Sequence, residues 1–301
     1  MQTRTDDGVI LADQLMQEGG ASPADVYVSE NSPEMMTLEQ HGLLGRLPAA
    51  TLDQIPAAYR SPAGRWVGIA LRVSALVYNT SLLRRGELPA SILDLARPRW
   101  RGKLAIAPTD SDFPPIVGAV IARHGEQAAS TWLAGLKRNA QTYQDEEAVV
   151  AAVNRGDEAA GIVNQYYWYR LRLEDGAQGL RSAVYYFPRT DVGSITNISG
   201  AAVLASSHNR AAAQRFVRFL ISPAAQRILA RSDDFEYPAL PGVPANPALP
   251  ALVTVPHATL PVVALGDDQR ATRLIEAAGL AWRGGRARYT SPAASIRCVA
   301  R

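Results

Sequence analysis

Two adjacent tyrosines after a predicted strand are the strongest functional signal in the sequence. Residues 164–170 read Asn-Gln-Tyr-Tyr-Trp-Tyr-Arg and directly follow the apolar run 160–163. In open α/β sheets ligands bind beyond the carboxyl ends of the strands, where Tyr166 and Tyr167 would lie. Successive helical residues point about 100° apart, so both rings cannot face one core. The pair is a candidate ligand site, with aromatic packing as the alternative.

Two further polar loops also follow predicted strands. Glu30 lies in a Ser-Glu-Asn loop after residues 24–28, and residues 108–113 (Pro-Thr-Asp-Ser-Asp-Phe) follow the strand 104–107. Acidic residues in such loops often cap the next helix, and the second loop could offer backbone N–H groups to an anion. Oxygen donors without cysteine suit a hard metal ion. Ferric iron is the hard ion that prefers phenolate, because a trivalent cation lowers the pKa of tyrosine from about 10.

Several function classes lack support in the sequence. There is no GxxxxGK[ST], no GxGxxG after a strand, no HExxH and no GxSxG, and the four histidines share no ligand spacing. The single cysteine, Cys298, allows neither an intramolecular disulfide nor a thiolate zinc site. An enzyme is therefore not expected.

Charge and hydropathy exclude two kinds of partner. The net charge of +3 comes from residues 282–301, which hold five arginines and no acid; the remainder has 26 basic and 28 acidic residues. A nucleic-acid partner is not expected without a basic patch. No apolar run approaches the roughly 18–20 residues of a membrane span.

Predicted helices and strands alternate, which favours an α/β fold with mostly parallel sheets. The long apolar run 66–78 is rich in valine and predicts a strand, and the proline-rich segment 237–256 predicts an extended connection. The other predicted strands are 24–28, 104–107, 160–163, 184–187 and 201–205, and the predicted helices are 10–16, 34–40, 116–123, 128–136, 147–153, 210–220, 224–231 and 270–278.

The chain resembles the ferric-ion-binding proteins of bacterial ABC importers, in the periplasmic-binding-protein superfamily. The matching segments, in family order, are 22–26, 29–30, 108–109, 132–137, 164–168, 199–204 and 236–238. The Tyr-Tyr-Trp element is the most specific of them. The resemblance implies a two-lobed clamp that closes over Fe3+, with two crossing strands as the hinge.

The resemblance also implies which residues form the site. Tyr166, Tyr167 and Glu30 match metal ligands of the family, and Asn164 matches an asparagine that helps to hold a companion anion. Residues expected around that anion or behind the ligands are Thr109, Asp110, Ser111, Asp112, Glu146 and Arg72.

The predicted anion loop departs from the family. Small neutral residues are usual where this chain has Asp110, Ser111 and Asp112, and Glu146 stands where an asparagine is common. Two charges about 4 Å apart at an effective dielectric of about 20 repel by about 4 kcal/mol, which disfavours a bound carbonate. We expect metal binding without an added anion, with a carboxylate or water in its place. The alternative is that Asp110 and Asp112 cap the helix near Phe113.

The resemblance places the family's first strand and helix before Met1. We therefore expect lobe one to lack this strand and helix and to expose a sheet edge. No signal peptide is predicted after Met1. Lobe one is expected at 1–75 and 200–281, and lobe two at 80–185. Residues 282–301 are expected to form a disordered basic tail.

The resemblance implies a monomeric substrate-binding protein without catalysis, located in the periplasm or cell envelope. It would sequester Fe3+ and deliver it to an ABC permease and its ATPase. Two alternatives stay open at this point: an organic-solute or oxyanion receptor on the same scaffold, and a truncated homologue without function.

Overall fold

Helices and strands alternate along the chain, as the apolar pattern predicts. The structure, a computed structural model, describes residues 2–6 and 8–281. The predicted tail, 282–301, lies outside the described residues. The helices are α1 (Gly8–Glu18), α2 (Ser32–Gln40), α3 (Ala49–Leu52), α4 (Phe113–His124), α5 (Glu126–Asn139), α6 (Glu146–Arg155), α7 (Gln165–Gly179), α8 (Arg210–Leu220), α9 (Pro223–Leu229) and α10 (Gln269–Ala277). The strands are β1 (Val26–Ser29), β2 (Trp66–Asn79), β3 (Leu104–Ile106), β4 (Ala140–Thr142), β5 (Ala160–Asn164), β6 (Ser182–Tyr185), β7 (Thr196–Val203) and β8 (Tyr237–Pro238).

The long strand β2 joins the two halves of the molecule. Its first half pairs with β7, from Trp66 opposite Ala202 to Val73 opposite Thr196. Its second half pairs with β5 and β6, starting with Ser74 opposite Asn164. Almost every residue of β2 is buried, which explains why its sequence is a continuous apolar run rather than an alternating one.

The sheet is mixed, with strand order β1-β7-β2-β5-β3-β4. The α/β class and the two-lobed architecture are as expected, but parallel pairing is confined to β3 with β4 and β3 with β5. The pairs of β2 and the pair of β1 with β7 are antiparallel. The physical reason is that the chain leaves the first half along β2 and returns along β7, so these strands must run in opposite directions. Strand β1 ends the strand order.

Two large apolar cores lie on either side of the point where β2 changes partners. The first joins α2, the first half of β2 and β7, with buried residues such as Met35, Trp66 and Val217. The second joins β3, α4 and α5 around Phe113 and Trp132. Helix α10 packs against α4 and α5 and belongs to the second core. The sequence analysis instead predicts that residues 200–281, which include α10, belong to lobe one.

The parallel pairing of β3 and β5 brings their carboxyl ends to one edge of the sheet. The loop after β3 leads into α4, and β5 passes directly into α7 without an intervening loop. A smaller core, formed by α6 against β3 and β5, places the first turn of α6 at the same edge. Three chain segments therefore meet where the sequence predicted a site.

No helix in the described part of the chain is long and apolar enough to cross a membrane.

Candidate functional site

The hydroxyls of Tyr166 and Tyr167 converge on one carboxylate. Both residues lie in the first turn of α7, with ring centroids 4.2 Å apart. The Tyr166 hydroxyl donates to Asp112 Oδ2 at 2.7 Å, and the Tyr167 hydroxyl lies 3.5 Å from the same oxygen. The Arg170 guanidinium, one turn further along α7, lies over both rings at 4.6 and 5.6 Å from their centroids. Two phenols and a carboxylate thus meet at one point.

Asp110 and Glu146 support this arrangement through backbone hydrogen bonds. Asp110 accepts from the Asp112 N–H with Oδ1, at 3.1 Å, and from the Glu146 N–H with Oδ2, at 3.0 Å. Glu146 Oε2 in turn accepts from the Asn164 N–H, which precedes the tyrosines. These bonds join the loop after β3, the start of α6 and the end of β5 into one unit. The other Glu146 oxygen, Oε1, is buried without a hydrogen-bond partner.

The site is connected to the opposite half of the molecule by Arg72, a side chain that is only 2% exposed. Its guanidinium lies 3.4 Å from Asp112 Oδ1 and 3.0 Å from Glu236 Oε1. It also donates to Asn31 Oδ1 at 2.8 Å, in the loop after β1. Arg72 therefore links both halves from its position on β2, and a single cation faces several acidic groups.

Burial and negative charge keep the phenols of the site protonated. Burial raises the pKa of Tyr166 well above its ordinary value, and the carboxylate of Asp112 raises it further; Arg72 opposes this only in part. Burial, and then the charge of Asp112, also raises the pKa of Tyr167 well above its ordinary value. A cation that binds the phenolate oxygens must therefore displace these protons.

The carboxyls beside the tyrosines also hold protons more tightly than in water. Burial, and then the charge of Asp112, raises the pKa of Asp110 to about 7. The same two causes raise the pKa of Glu146 well above its ordinary value. On the other side of Arg72, burial raises the pKa of Glu236, and the guanidinium opposes this. Several buried carboxyls that share one arginine form a site that a cation would stabilise.

Most of the residues predicted from the sequence meet in this network, but not all in the expected way. Those that it connects are Arg72, Asp110, Asp112, Glu146, Asn164, Tyr166 and Tyr167. Asn164 takes part through its backbone N–H. Thr109 is exposed and Ser111 is half-buried. The side chain of Glu30 is exposed, its carbonyl oxygen accepts from Ser199 at 3.5 Å, and its charge acts on Arg72.

Neither aspartate of the acidic loop caps α4 with its side chain. Asp112 precedes α4, yet its side chain makes no capping hydrogen bond to that helix. Its carboxylate points instead to the tyrosines and to Arg72. Asp110 accepts hydrogen bonds from the backbone N–H groups of Asp112 and Glu146, and so it holds the acidic loop against the start of α6.

Sequence reasoning missed Glu236 and Ser199 as members of the site, and it named Asn31 only as part of the polar loop that carries Glu30. Glu236 accepts from the Ser199 hydroxyl at 3.0 Å as well as pairing with Arg72, and Asn31 Oδ1 accepts from both Arg72 and Asn197. A signal for them was present, because Arg72 is the only charged residue in the apolar run 66–78. A buried arginine requires acidic or amide partners, although the sequence does not tell which ones.

In the described residues, no group of three or more His, Cys, Asp or Glu side chains could hold a metal ion by itself.

A two-lobed α/β fold with a candidate ligand site beside its connecting strand is typical of binding proteins that close around a small solute. Residues 21–256 match the family of bacterial extracellular solute-binding proteins, and the chain belongs to that family.

The chain is also similar to individual proteins that are named as iron-binding. The chain is 41% identical over 227 residues to an Fe(3+)-binding periplasmic protein of Serratia marcescens, covering 75% of this chain and 67% of the relative. It is 35% identical over 275 residues to the major ferric iron-binding protein of Neisseria meningitidis serogroup B, covering 90% and 82%. Iron-bound HitA from Pseudomonas aeruginosa superposes with a TM-score of 0.86 at 36% identity, covering 92% of this chain and 89% of HitA.

Proposed function

We propose that this protein is the substrate-binding component of a ferric iron import system. The observation that carries the proposal is the convergence of two phenol oxygens and a carboxylate oxygen, with O···O separations of 2.7 and 3.5 Å. A small hard cation with metal–oxygen bonds of about 2.0 Å places neighbouring ligands about 2.8 Å apart. Fe3+ can thus replace the two phenol protons with little movement of the oxygens.

The relatives support iron as the cargo. The Serratia and Neisseria proteins are both named as ferric iron binders, and HitA was solved with iron bound. We propose Tyr166 and Tyr167 as metal ligands, with Glu30 approaching from the opposite lobe. Arg72 and Asn164 hold the ligand-bearing segments in place from behind.

The alternative of an organic solute receptor is less well supported by the site. Such a receptor would stack its ligand on open aromatic faces. Tyr166 is only 4% exposed, and the faces of both tyrosines are occupied by each other and by Arg170. The hydroxyl ends of the rings meet the carboxylate, which suits a small cation.

The two apolar cores support a division into two lobes, and we propose that these lobes bind iron without catalysis. Lobe one comprises residues 1–75 and the segment from 200, and lobe two comprises 80–185. Because α10 packs in the second core, the end of the 200–281 segment lies against lobe two. The Serratia relative is named as a periplasmic protein, and we propose that this chain also acts in the periplasm, as a monomer that delivers iron to an ABC permease and its ATPase.

Equilibrium dialysis against ferric iron tests the proposal. We expect one iron per chain, with binding that weakens as pH falls, because each phenolate ligand must lose a proton whose pKa is raised. Zn2+ and Mg2+ serve as controls that should bind far more weakly. A chain that retains no ferric iron at neutral pH, or that binds it equally at pH 5 and pH 8, contradicts the proposal.

A further inference from the structure

Asp112 places a carboxylate between the tyrosines and Arg72. One oxygen, Oδ2, receives the Tyr166 hydroxyl at 2.7 Å, and the other, Oδ1, lies 3.4 Å from Arg72 Nη2. One oxygen of the carboxylate therefore faces the tyrosine pair, and the other faces Arg72.

The side chain is buried and incompletely satisfied. Asp112 is 2% exposed, and its Oδ1 has no hydrogen-bond partner although it lies near the guanidinium. Buried polar atoms are normally hydrogen-bonded, and Oδ1 has only the guanidinium of Arg72 at 3.4 Å, so the carboxylate keeps acceptor capacity while Oδ2 faces the two phenol hydroxyls. Since the carboxylate does not cap α4, helix capping does not account for its position.

We propose that Asp112 is itself a metal ligand and takes the place of a companion anion, so that the protein binds Fe3+ without carbonate, phosphate or any other added anion. This inference rests on the proposed function. The two phenolates and Asp112 carry three negative charges, equal in number to the charge of Fe3+, and the fourth charge, on Glu30, also acts on Arg72.

The surroundings of Asp112 disfavour an additional anion. Asp110 and Glu146 are buried next to it, and Arg72, which would attract an anion, already pairs with Asp112 and Glu236. A carbonate entering this position would lie next to the Asp112 carboxylate and would have to compete with Asp112 and Glu236 for Arg72.

Rescue by an added anion tests the proposal directly. Ferrous chloride is oxidised by air in decarbonated chloride buffer with the wild type, with Asp112→Ala and with Asp157→Ala, an exposed carboxylate paired with Arg155. Iron affinity is measured by competition with a hydroxamate chelator, with and without bicarbonate or formate. We expect the wild type and Asp157→Ala to bind equally in all buffers. Asp112→Ala should lose at least about tenfold in affinity and recover when formate or bicarbonate fills the space left by the carboxylate.

Each other outcome overturns the inference. Wild-type protein that binds iron only after bicarbonate is added leaves the proposed function standing but shows that Asp112 does not replace the anion. The same conclusion follows if Asp112→Ala binds iron as tightly as the wild type without an anion. If the wild type binds no iron in any buffer, the proposed function and this inference both fail. Should Asp112→Ala not fold, Asp112→Asn keeps the volume and must also lose about tenfold in affinity.

Discussion

Glu146 keeps its proton to a higher pH in the folded protein than in the unfolded chain, because its pKa is raised. Its carboxyl is 1% exposed, and burial followed by the charges of Asp112 and Asp110 raises its pKa well above 4.5. The folded state therefore binds more protons than the unfolded state as the pH rises above about 4.5. By linkage, this group makes the free energy of unfolding of the iron-free protein fall with increasing pH until the folded pKa is passed.

Glu146→Gln should flatten this pH dependence. Glutamine keeps a side-chain oxygen for the Asn164 N–H but cannot lose a proton. We expect the unfolding free energy of the variant to fall less between pH 5 and pH 8 than that of the wild type. Urea unfolding of the iron-free proteins measures this, with the exposed Glu276→Gln as the control. Parallel curves for the wild type and Glu146→Gln contradict the assignment of a buried, protonated carboxyl.

At the level of elements, β5 determines where the tyrosines lie. Gly161 is in the middle of this strand, and a Cβ added there would lie 2.4 Å from Val149 Cγ1 and 3.3 Å from the Ala105 carbonyl oxygen. Only glycine lets α6 approach this closely, and α6 carries Glu146 at its first turn. The close approach thus positions two parts of the site.

Gly161→Ala should therefore lower both stability and iron affinity. Overpacking at such a site costs about 1–3 kcal/mol, and the shift of β5 moves the start of α7. Gly86→Ala is a suitable control because a Cβ there meets nothing within 4 Å, and we expect its effect to stay within about 0.5 kcal/mol. Thermal unfolding and iron competition measure the two effects. A Gly161→Ala protein with wild-type stability contradicts the packing described here.

The sequence predicted the ranges of helices and strands better than it predicted which strands pair and in which direction. Long periodic segments such as α8 and the apolar run of β2 agree closely with their predicted ranges, since periodicity is a local property. The three-residue strand β4 was missed because so short a segment has no pattern. The antiparallel pairing of β2 with β7 depends on contacts between segments more than a hundred residues apart, as does the ion pair of Arg72 with Glu236. The loops of the site were predictable because each follows a strand.

At the scale of the molecule, binding should bring the two lobes together. Strand β2 and the return along β7 connect the lobes, and Arg170 of α7 already lies 3.6 Å from Asp234 on the other side. Iron held by tyrosines of one lobe and Glu30 of the other would draw the lobes closer. Small-angle scattering should show a smaller radius of gyration with iron than without it. An unchanged radius with iron bound contradicts a clamp.

The central claim is that Tyr166 and Tyr167 bind Fe3+ as phenolates, and visible spectroscopy tests it most directly. Ferric iron bound to tyrosinate gives a red-to-purple charge-transfer band. Titration should develop this band up to one equivalent in the wild type and in the control Tyr185→Phe, whose hydroxyl donates to the Pro89 carbonyl outside the site. The band should weaken in Tyr166→Phe and in Tyr167→Phe and vanish in the double variant. An undiminished band in the double variant, or iron bound by the wild type without colour, would contradict the account.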